Sequence, residues 1–529
     1  MDTANVGYSY HLPTGGWNYK IRNTLTQFSD LFSEFNKYIA PAYHHDRCER
    51  SVPMRIYSMH KGEFVMVFIA FFALFGLGVF IGLAGPSPTM TTSMSASSVL
   101  TNSSTMYQGP FHLHSPALGT QAQQLWLFAE ILTNNDDDEI FDKRFQISIS
   151  IEGVLADHTT TEIVGENEAP NRTQHLTCKK STCDEVLIMH LGVLEYTHYV
   201  LNINFYGLQE FHKRYVIRDI IFYFKTYNPA FTQLELWFRF IFVLTTFSVT
   251  FSFFYALRRY HLTDWSLEQK WISFLLPSLL MANDPMYPLR LFAANYFATM
   301  MSDMNMILLI CSILLSWLAQ YHGLRQNDRN YMSFYLTKYF LVSLLMVPAL
   351  VLSYWQKCVG ILDPTYNYMM NPAYPVVKGL FFCGLTMYFL YLMVLIIKAY
   401  SDLRNMPFFD IRLRCLSIVV GTVIFIMTLL SIQGWGVAGL QDHWASQPKV
   451  HYDTSAPFMA MMGLFNFKIY ILAYLFSPGG GAVHDMAITK DNPAFSMIND
   501  SDEEVIYGSD EESRRPLNSH HRITTDEDI

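Results

Sequence analysis

The sequence predicts a multi-pass α-helical membrane protein of eight spanning helices, with an antiparallel β-sandwich inserted after the first helix. Three observations predict it. Hydrophobic residues make up 51% of the 529 residues and charged residues only 15%, against about 25% charged residues in an average globular chain. Long uncharged runs alternate with short charged loops. Residues 85–234 contain no such run and instead place apolar residues at every second position. This composition excludes a disordered chain and a basic nucleic-acid-binding protein.

The first helix is predicted at residues 64–84, which are uncharged throughout. At 1.5 Å per residue this run spans the hydrocarbon core of about 30 Å, and it starts too late for a cleaved secretory signal, so we expect a signal-anchor helix. Seven Lys or Arg residues precede it, and the positive-inside rule therefore places residues 1–63 in the cytosol. Within this N-terminal region, apolar residues from Ile21 to Ile39 recur at the spacing of an amphipathic helix.

Residues 85–234 are then predicted to form a lumenal or extracellular β-domain. Phe145, Ile147, Ile149 and Ile151 alternate with polar residues, which is typical of a half-buried strand. Two glycosylation sequons begin at Asn102 and Asn171, and Cys178 and Cys183 lie five residues apart in a compartment that permits a disulfide. Sequons alone are a weak signal, because another one begins at Asn499 near the C-terminus.

Seven further helices are predicted within residues 235–477, near 236–257, 271–289, 304–322, 336–355, 379–399, 415–435 and 458–477. Pro277 and Asn283-Asp284-Pro285 interrupt the 271–289 run. The short loops that eight passes assign to the cytosol carry ten Lys or Arg residues, and the short loops on the other side carry four. The charge distribution therefore predicts that both termini are cytosolic.

The chain shows no catalytic pattern: HExxH, GxSxG, P-loop and GxGxxG motifs are absent from the sequence. We therefore expect no enzyme, no metal site and no cofactor. Polar residues inside the predicted helices are more informative, since they usually face the bundle interior. Asn283, Asp284, Asn466 and Lys468 are expected to line a polar cavity or to pair across the bundle. The alternatives are a structural ion pair, or an interfacial Asp284.

Charged residues at the start of the second helix surround a tryptophan. The run from Glu235 through Trp237 to Arg239 is typical of an anchor at the membrane interface.

The C-terminal residues 478–529 hold twelve Asp or Glu and four Lys or Arg residues, which predicts a solvated acidic tail. Ser501 and Ser509 are each followed by three acidic residues, a pattern that suits acidophilic kinases. Asn492, Pro493, Phe495 and Tyr507 form a candidate motif for sorting adaptors. The alternative is a tail that only solvates, and the same NPAF string at residues 228–231 weakens the motif.

Several longer strings resemble one known family. They are PMRIY at 53–57, KTYNPAF at 225–231, EQKW at 268–271, NDP at 283–285 and DNPAFSMINDSDEEVIYGSD at 491–510. The chain resembles the transmembrane protein 181 family, a branch of the Wntless-like proteins that carry a GOLD domain and seven transmembrane helices. The resemblance implies a GOLD-like β-sandwich above a seven-helix, receptor-like bundle. It also implies carriage of lipid-modified or membrane-associated cargo, although no cargo-binding residue carries over.

The expected function is that of a secretory-pathway cargo receptor in the Golgi, in endosomes or at the plasma membrane. Its expected partners are membrane lipids, a secretory cargo or extracellular ligand, and sorting adaptors and kinases at the tail. The alternative is a ligand-binding cell-surface receptor of seven-helix type. A channel or transporter, suggested by Asp284 and Lys468, is the third possibility.

Overall fold

The computed structural model describes residues 52–100, 105–134, 140–165, 172–179, 181–292, 296–325, 331–366, 371–403, 407–442 and 454–479. The predicted amphipathic helix between Ile21 and Ile39 and the acidic tail after residue 479 lie outside these ranges.

Nine labelled helices form the membrane part of the described chain. They are α1 (Lys61–Ala84), α2 (Pro229–Leu257), α3 (Leu267–Ala282), α4 (Tyr287–Phe292), α5 (Tyr296–Arg325), α6 (Tyr331–Leu362), α7 (Tyr374–Leu403), α8 (Pro407–Asp442) and α9 (Ala456–Leu475). Short helical turns at Arg55–Ser58, Ala96–Val99 and Gln209–Arg214 carry no label. Within the described residues, seven helices are long and apolar enough to cross a membrane, namely all except α3 and α4.

The helix predicted at 271–289 is divided into α3 and α4. Ser266 starts α3 with a capping box, in which its hydroxyl accepts from the Gln269 backbone N–H and the Gln269 side chain accepts from the Ser266 N–H. Pro277 lies inside α3, and the helix breaks only at Asn283-Asp284-Pro285, where Asp284 adopts φ of 56°. Asn283-Asp284-Pro285 therefore interrupts this helix, whereas Pro277 does not.

Contacts at both ends show that α3 and α4 together cross the bundle. Gln269, near the start of α3, donates to the Phe476 carbonyl just after α9 at 3.0 Å. Arg290, in α4, donates to Gln123 of the β-domain at 2.8 Å. The interrupted helix thus runs from the end of α9 to the β-domain, at the place where the sequence predicts one of its eight passes.

Within its described residues, the β-domain forms a ten-stranded antiparallel sheet. Its strands are β1 (Thr89–Ser95), β2 (Phe111–His114), β3 (Leu125–Thr133), β4 (Ile140–Val154), β5 (Thr160–Val164), β6 (Arg172–Lys179), β7 (Thr182–Cys183), β8 (Val186–Leu191), β9 (His198–Tyr206) and β10 (Ile217–Tyr227). The order is β1-β10-β3-β7-β6-β4-β9-β2, with β8 also beside β3 and β5 beside β4.

The sheet folds over on itself as a sandwich. Phe222 of β10 contacts the rings of Phe111 in β2 and Phe205 in β9, with centroids 5.4 and 6.4 Å apart, although these strands lie near opposite ends of the strand order. The alternating residues of β4 from Phe145 to Ile151 are buried in this core, as the period of two predicts.

The first helix packs along the last one. A Cβ atom on Gly82 would lie 2.6 Å from the Cα of Ala456, and one on Gly85 would lie 2.1 Å from the Ser455 hydroxyl. Only glycine lets α1 and the start of α9 approach this closely. The outer face of α1, with Phe72 and Phe80, is exposed and suits contact with lipid.

The two ends of the described chain meet on one side of the bundle. The Arg55 N–H donates to the Ser477 carbonyl at 2.8 Å, and the Gly479 N–H donates to the Pro53 carbonyl at 3.1 Å. We call this side, opposite the β-domain, the far end. The start of α1 and the end of α9 therefore lie on the same side of the membrane part.

Candidate functional site between the β-domain and the helices

A network of polar side chains joins the β-domain to the helices at a contact that we call the seam. Gln123, which precedes β3 and has φ of 58°, stands at its centre. Its amide nitrogen donates to the Thr232 hydroxyl of α2 at 3.0 Å and to the Tyr287 hydroxyl of α4 at 2.9 Å. Its amide oxygen accepts from Arg290 at 2.8 Å. One β-domain residue thus binds two elements of the bundle.

The network continues into the helices through buried charges. The Tyr287 hydroxyl donates to Glu235 Oε2 at 2.8 Å, and Arg239 Nε donates to Glu235 Oε1 at 2.8 Å. The Arg239 guanidinium also lies 4.9 Å from the centre of the Tyr287 ring. Trp237 between them is 64% exposed, as an interfacial residue would be. Glu235 and Arg239 instead turn inward, where each charge is paired.

Aromatic side chains extend the seam on the β-domain side. Tyr227, at the end of β10, packs edge-on against Trp126, which stacks on His190. Burial raises the pKa of Tyr227 to about 12, and the negative charge of Glu235 adds to this effect. Its phenol therefore stays neutral at physiological pH and contributes no charge to the seam.

A second joint ties the β-domain to the end of α6. The backbone N–H of His190 donates to the Pro364 carbonyl at 2.9 Å. Arg172 of β6 forms an ion pair with Asp363. The β-domain therefore contacts the helical part at two separate places, one on α2 and α4 and the other just after α6.

A small cavity with an open mouth lies at the seam, and it holds about 40 Å³ of space for the centres of water-sized molecules. Both domains line it: Thr120, Gln123, Gln124, Gly192, Val193 and Leu194 from the β-domain, and Arg290, Leu291 and Thr299 from the helical part. Its walls offer amide, hydroxyl and guanidinium groups beside apolar side chains. A peptide segment or a lipid headgroup at this place would touch both domains at once.

Two of the four intramembrane residues singled out from the sequence pair with each other. The Asn283 amide donates to the Asn466 side-chain oxygen at 2.8 Å, and the Asn466 amide donates back to the Asn283 oxygen at 3.0 Å. Thr246 of α2 accepts from Asn283 at 2.9 Å, and the Tyr470 hydroxyl donates to Asn466 at 3.0 Å. The interrupted α3 is thus held to α2 and α9 by a buried amide cluster.

The other two residues, Asp284 and Lys468, form no ion pair with each other among the described residues. Asn466 and Lys468 are two positions apart, which is about 200° around a helix, so they face different neighbours. Asn466 meets α2 and α3, whereas Lys468 lies over the ring of Trp317 in α5, at 4.4 Å. The four residues therefore do not line one common cavity.

Two ion pairs at the far end, one buried and one partly buried, were missed from the sequence. Arg412 of α8 pairs with Glu268 of α3, and Arg325 of α5 pairs with Asp402 of α7 at 2.6 Å. Gln123 and Tyr287 of the seam were also missed. Each of these contacts joins residues far apart in the chain, so no local pattern marks them. Only Glu235 and Arg239, at i and i+4 on one helix, carry a local signal.

The remaining predicted residues are placed as follows. Cys178 and Cys183 form a disulfide between β6 and β7. The sequon residues Asn102 and Asn171, the serines Ser501 and Ser509, and the motif residues Asn492, Pro493, Phe495 and Tyr507 lie outside the described residues. Within the described ranges, no group of three or more His, Cys, Asp or Glu residues could hold a metal ion.

Comparison with known proteins agrees with this architecture. Residues 109–227 match the family model described as TMEM181, GOLD domain, and residues 228–480 match the model described as Wntless-like, transmembrane domain. Human transmembrane protein 181 is 40% identical over 466 residues, which cover 88% of this chain and 95% of the relative. These matches confirm the resemblance that the sequence strings indicate. The chain belongs to the transmembrane protein 181 family, with a GOLD domain followed by a Wntless-like transmembrane domain.

Proposed function

We propose that this multi-pass membrane protein is a secretory-pathway carrier that holds a membrane-associated or lipid-modified cargo at the seam. The observation that carries the proposal is the seam cavity, which is walled by the GOLD domain and by the helices together. A site built from both domains suits a cargo that has one part in water and another in the membrane.

The hydrogen bonds around the cavity support this role. Gln123 and Arg290 line the cavity and also bind each other. Gln123 further binds Tyr287, which leads to Glu235. A cargo group that binds Gln123 or Arg290 competes for bonds that hold the two domains together. Occupation of the cavity would therefore change how firmly the GOLD domain sits on the bundle.

The proposed orientation places both termini in the cytosol and the GOLD domain in the lumen or outside the cell. The excess of Lys and Arg in the loops of the far end supports it. The acidic tail would then meet sorting adaptors and kinases, and the carrier would move between the Golgi, endosomes and the plasma membrane.

The cargo experiment removes the protein from cells and compares the secreted and surface proteomes with those of control cells. Three forms are then returned: the unchanged protein, Gly192→Trp and Gly360→Trp. Gly192 lines the cavity, whereas Gly360 lies in α6, and an added Cβ meets open space at both. We expect G192W to fill the cavity and to leave cargo inside the cell, while G360W restores export. If removal changes neither proteome, the carrier proposal is wrong.

The sorting role of the tail has its own experiment. We expect deletion of residues 490–512, which contain Ser501, Ser509 and the NPAF string, to redistribute the protein between compartments. Deletion of residues 513–529 is the matched control, because it shortens the tail and leaves these motifs. An unchanged location after the first deletion removes the sorting part of the proposal.

A ligand-binding cell-surface receptor is the second candidate, and the two far-end ion pairs favour it. Glu268–Arg412 and Arg325–Asp402 link four different helices at that end, and a signalling change there would have to break them. If the protein is such a receptor, Glu268→Gln with Asp402→Asn should raise basal G-protein signalling. No change in signalling, at equal surface amounts, argues against it. The separation of Asp284 from Lys468 leaves a conducting path without support.

A further inference from the structure

Lys468 carries a buried amine without a hydrogen-bonding partner among the described residues. Its side chain lies in the middle of α9 and is 2% exposed, and its Nζ has no acceptor within the described part of the chain. The favourable contact that the structure gives it is the face of the Trp317 ring, 4.4 Å away.

The tryptophan ring does not satisfy this group. An ammonium carries three N–H donors, and an aromatic face attracts the charge but supplies no oxygen to accept them. The free energy needed to remove an ammonium from water is larger than the attraction between that ammonium and one such ring. The neighbouring Asn466 shows that this helix can fully pair its other buried polar residue. The described part of the chain therefore provides no hydrogen-bond acceptor for Lys468.

The side chain lines a crevice that faces away from the amide cluster. The crevice is open at its mouth and holds about 20 Å³ of space for the centres of water-sized molecules. Its walls are Phe68 and Phe71 of α1, Val419, Thr422 and Val423 of α8, and Lys468 and Ile471 of α9. Among these described lining residues, Lys468 carries the only amine and Thr422 the only hydroxyl. A single anionic group surrounded by apolar surface would fit such walls.

The crevice lies between α1 and α8, which both pack against α9. Side chains beside it on the outer surface, Phe72 of α1 and Ile418 and Phe425 of α8, are exposed and apolar. These residues face the hydrocarbon, so a ligand reaches the crevice from the bilayer and not from water. The seam cavity is lined by different residues, and the two sites are separate.

The depth of Lys468 restricts the size of the anionic group. It lies seven positions before the last residue of α9, which is about 10 Å along the helix axis. A phospholipid would have to draw its headgroup that far into the hydrocarbon. A long-chain carboxylic acid has a small head, crosses hydrocarbon in its neutral protonated form, and can give its proton to the amine on arrival. The resulting carboxylate and ammonium then neutralise each other.

We propose that Lys468 anchors a lipid-facing site for a long-chain carboxylic acid. The carboxylate accepts hydrogen bonds from the ammonium, with the Thr422 hydroxyl as a second donor, and the acyl chain lies along the apolar walls between α1 and α8. This inference does not depend on the proposed carrier role, because it concerns a different cavity on the outer face of the bundle.

The test uses the purified full-length protein in lipid nanodiscs and a photoreactive palmitic acid. We expect crosslinks in α1 and α8 near Phe71 and Thr422, with unlabelled palmitic acid competing at least tenfold better than its methyl ester. The ester has the same chain but no carboxylate. If acid and ester compete equally, or if a photoreactive phosphatidylcholine labels the same residues as strongly, the proposal is wrong.

Variants give a second readout. Lys468→Met keeps the length of the side chain and removes the charge, and we expect it to lower the affinity for palmitic acid at least tenfold. Lys398→Met, on an exposed face of α7, is the matched control and should bind as the unchanged protein does. Unchanged binding by K468M contradicts the proposal. Since the comparison of acid with ester uses the unchanged protein, it decides the matter even if K468M folds poorly.

Discussion

Asn283 and Asn466 each donate a side-chain hydrogen bond to the other. This pair holds the end of α3, where the helix breaks, against α9. Asn283 lies at the last turn before the break, where the chain could otherwise separate from its neighbours. Buried amides in a membrane must find partners inside the protein, because lipid offers none. The pair therefore stabilises the interrupted helix as well as satisfying its own polar atoms.

A double-mutant cycle tests this pair. We expect Asn283→Leu and Asn466→Leu each to lower the free energy of unfolding by about 1–3 kcal/mol, because each leaves the other amide buried and unpaired. The double variant should lose less free energy of unfolding than the two single variants together, by about 1 kcal/mol. Thermal unfolding in detergent measures the losses. Asn305→Leu, at a more exposed position, is the control, and strictly additive losses would contradict a direct coupling.

Sequence analysis found both asparagines because they interrupt apolar runs, but it could not assign their partners. It grouped them with Asp284 and Lys468, whereas the structure pairs only the two amides. The direction in which a side chain points depends on how helices distant in sequence are rotated against each other. Periodicity predicts that a helix exists and which face is apolar, but it does not fix this rotation.

At the scale of helices and strands, the string Asn-Pro-Ala has a structural explanation, because it occurs where helices begin. Asn228 and Asn371 each precede Pro-Ala, and each accepts a hydrogen bond from the following alanine N–H at 3.0 Å. Helices α2 and α7 begin at Pro229 and Tyr374. Asparagine before proline is a common way to start a helix. The related string at Asn492 is therefore weak support for an adaptor motif by itself.

Two glycines of α1 are predicted to respond to alanine substitution with opposite changes in stability. Gly82 meets the backbone of α9, whereas an added Cβ on Gly76 meets no atom within 4 Å. We expect Gly82→Ala to destabilise the protein by about 1–3 kcal/mol, because the two helices must move apart. Gly76→Ala should be neutral or stabilising by up to about 1 kcal/mol, since alanine favours the helix. Thermal unfolding of both variants measures the difference, and equal melting temperatures would contradict close packing here.

The order of the helices could be predicted from hydropathy, since each apolar run became one pass. The start of α2 could not, because Asn228 and Pro229 begin the helix before the apolar run starts. The position of the break in α3 was also open, since Pro277 and Pro285 both offered one. Pro277 is accommodated within α3, and the left-handed backbone of Asp284 makes the break. Such choices depend on tertiary contacts that single-sequence patterns do not contain.

For the whole molecule, the contacts fix which parts lie at the same end of the bundle. The β-domain lies at one end of the bundle, and residues 53–55 pair with residues 477–479 at the far end. In the sequence, Asn102 lies between β1 and β2 and Asn171 lies between β5 and β6, whereas Asn499 follows α9. The proposed orientation places the first two sequons in the lumen and Asn499 in the cytosol, so only Asn102 and Asn171 would meet the glycosylation machinery of the lumen.

Glycosylation thus measures the orientation on which the carrier proposal depends. We expect Asn102→Gln and Asn171→Gln each to remove one glycan, because the excess of Lys and Arg at the far end favours a cytosolic position for that end and hence a lumenal β-domain. Gel mobility with and without a glycosidase shows the loss, and Asn499→Gln is the control that should change nothing. A glycan at Asn499, with none at the other two sites, would place the GOLD domain in the cytosol. The seam cavity would then open away from any secreted cargo, and the carrier proposal would have to be abandoned.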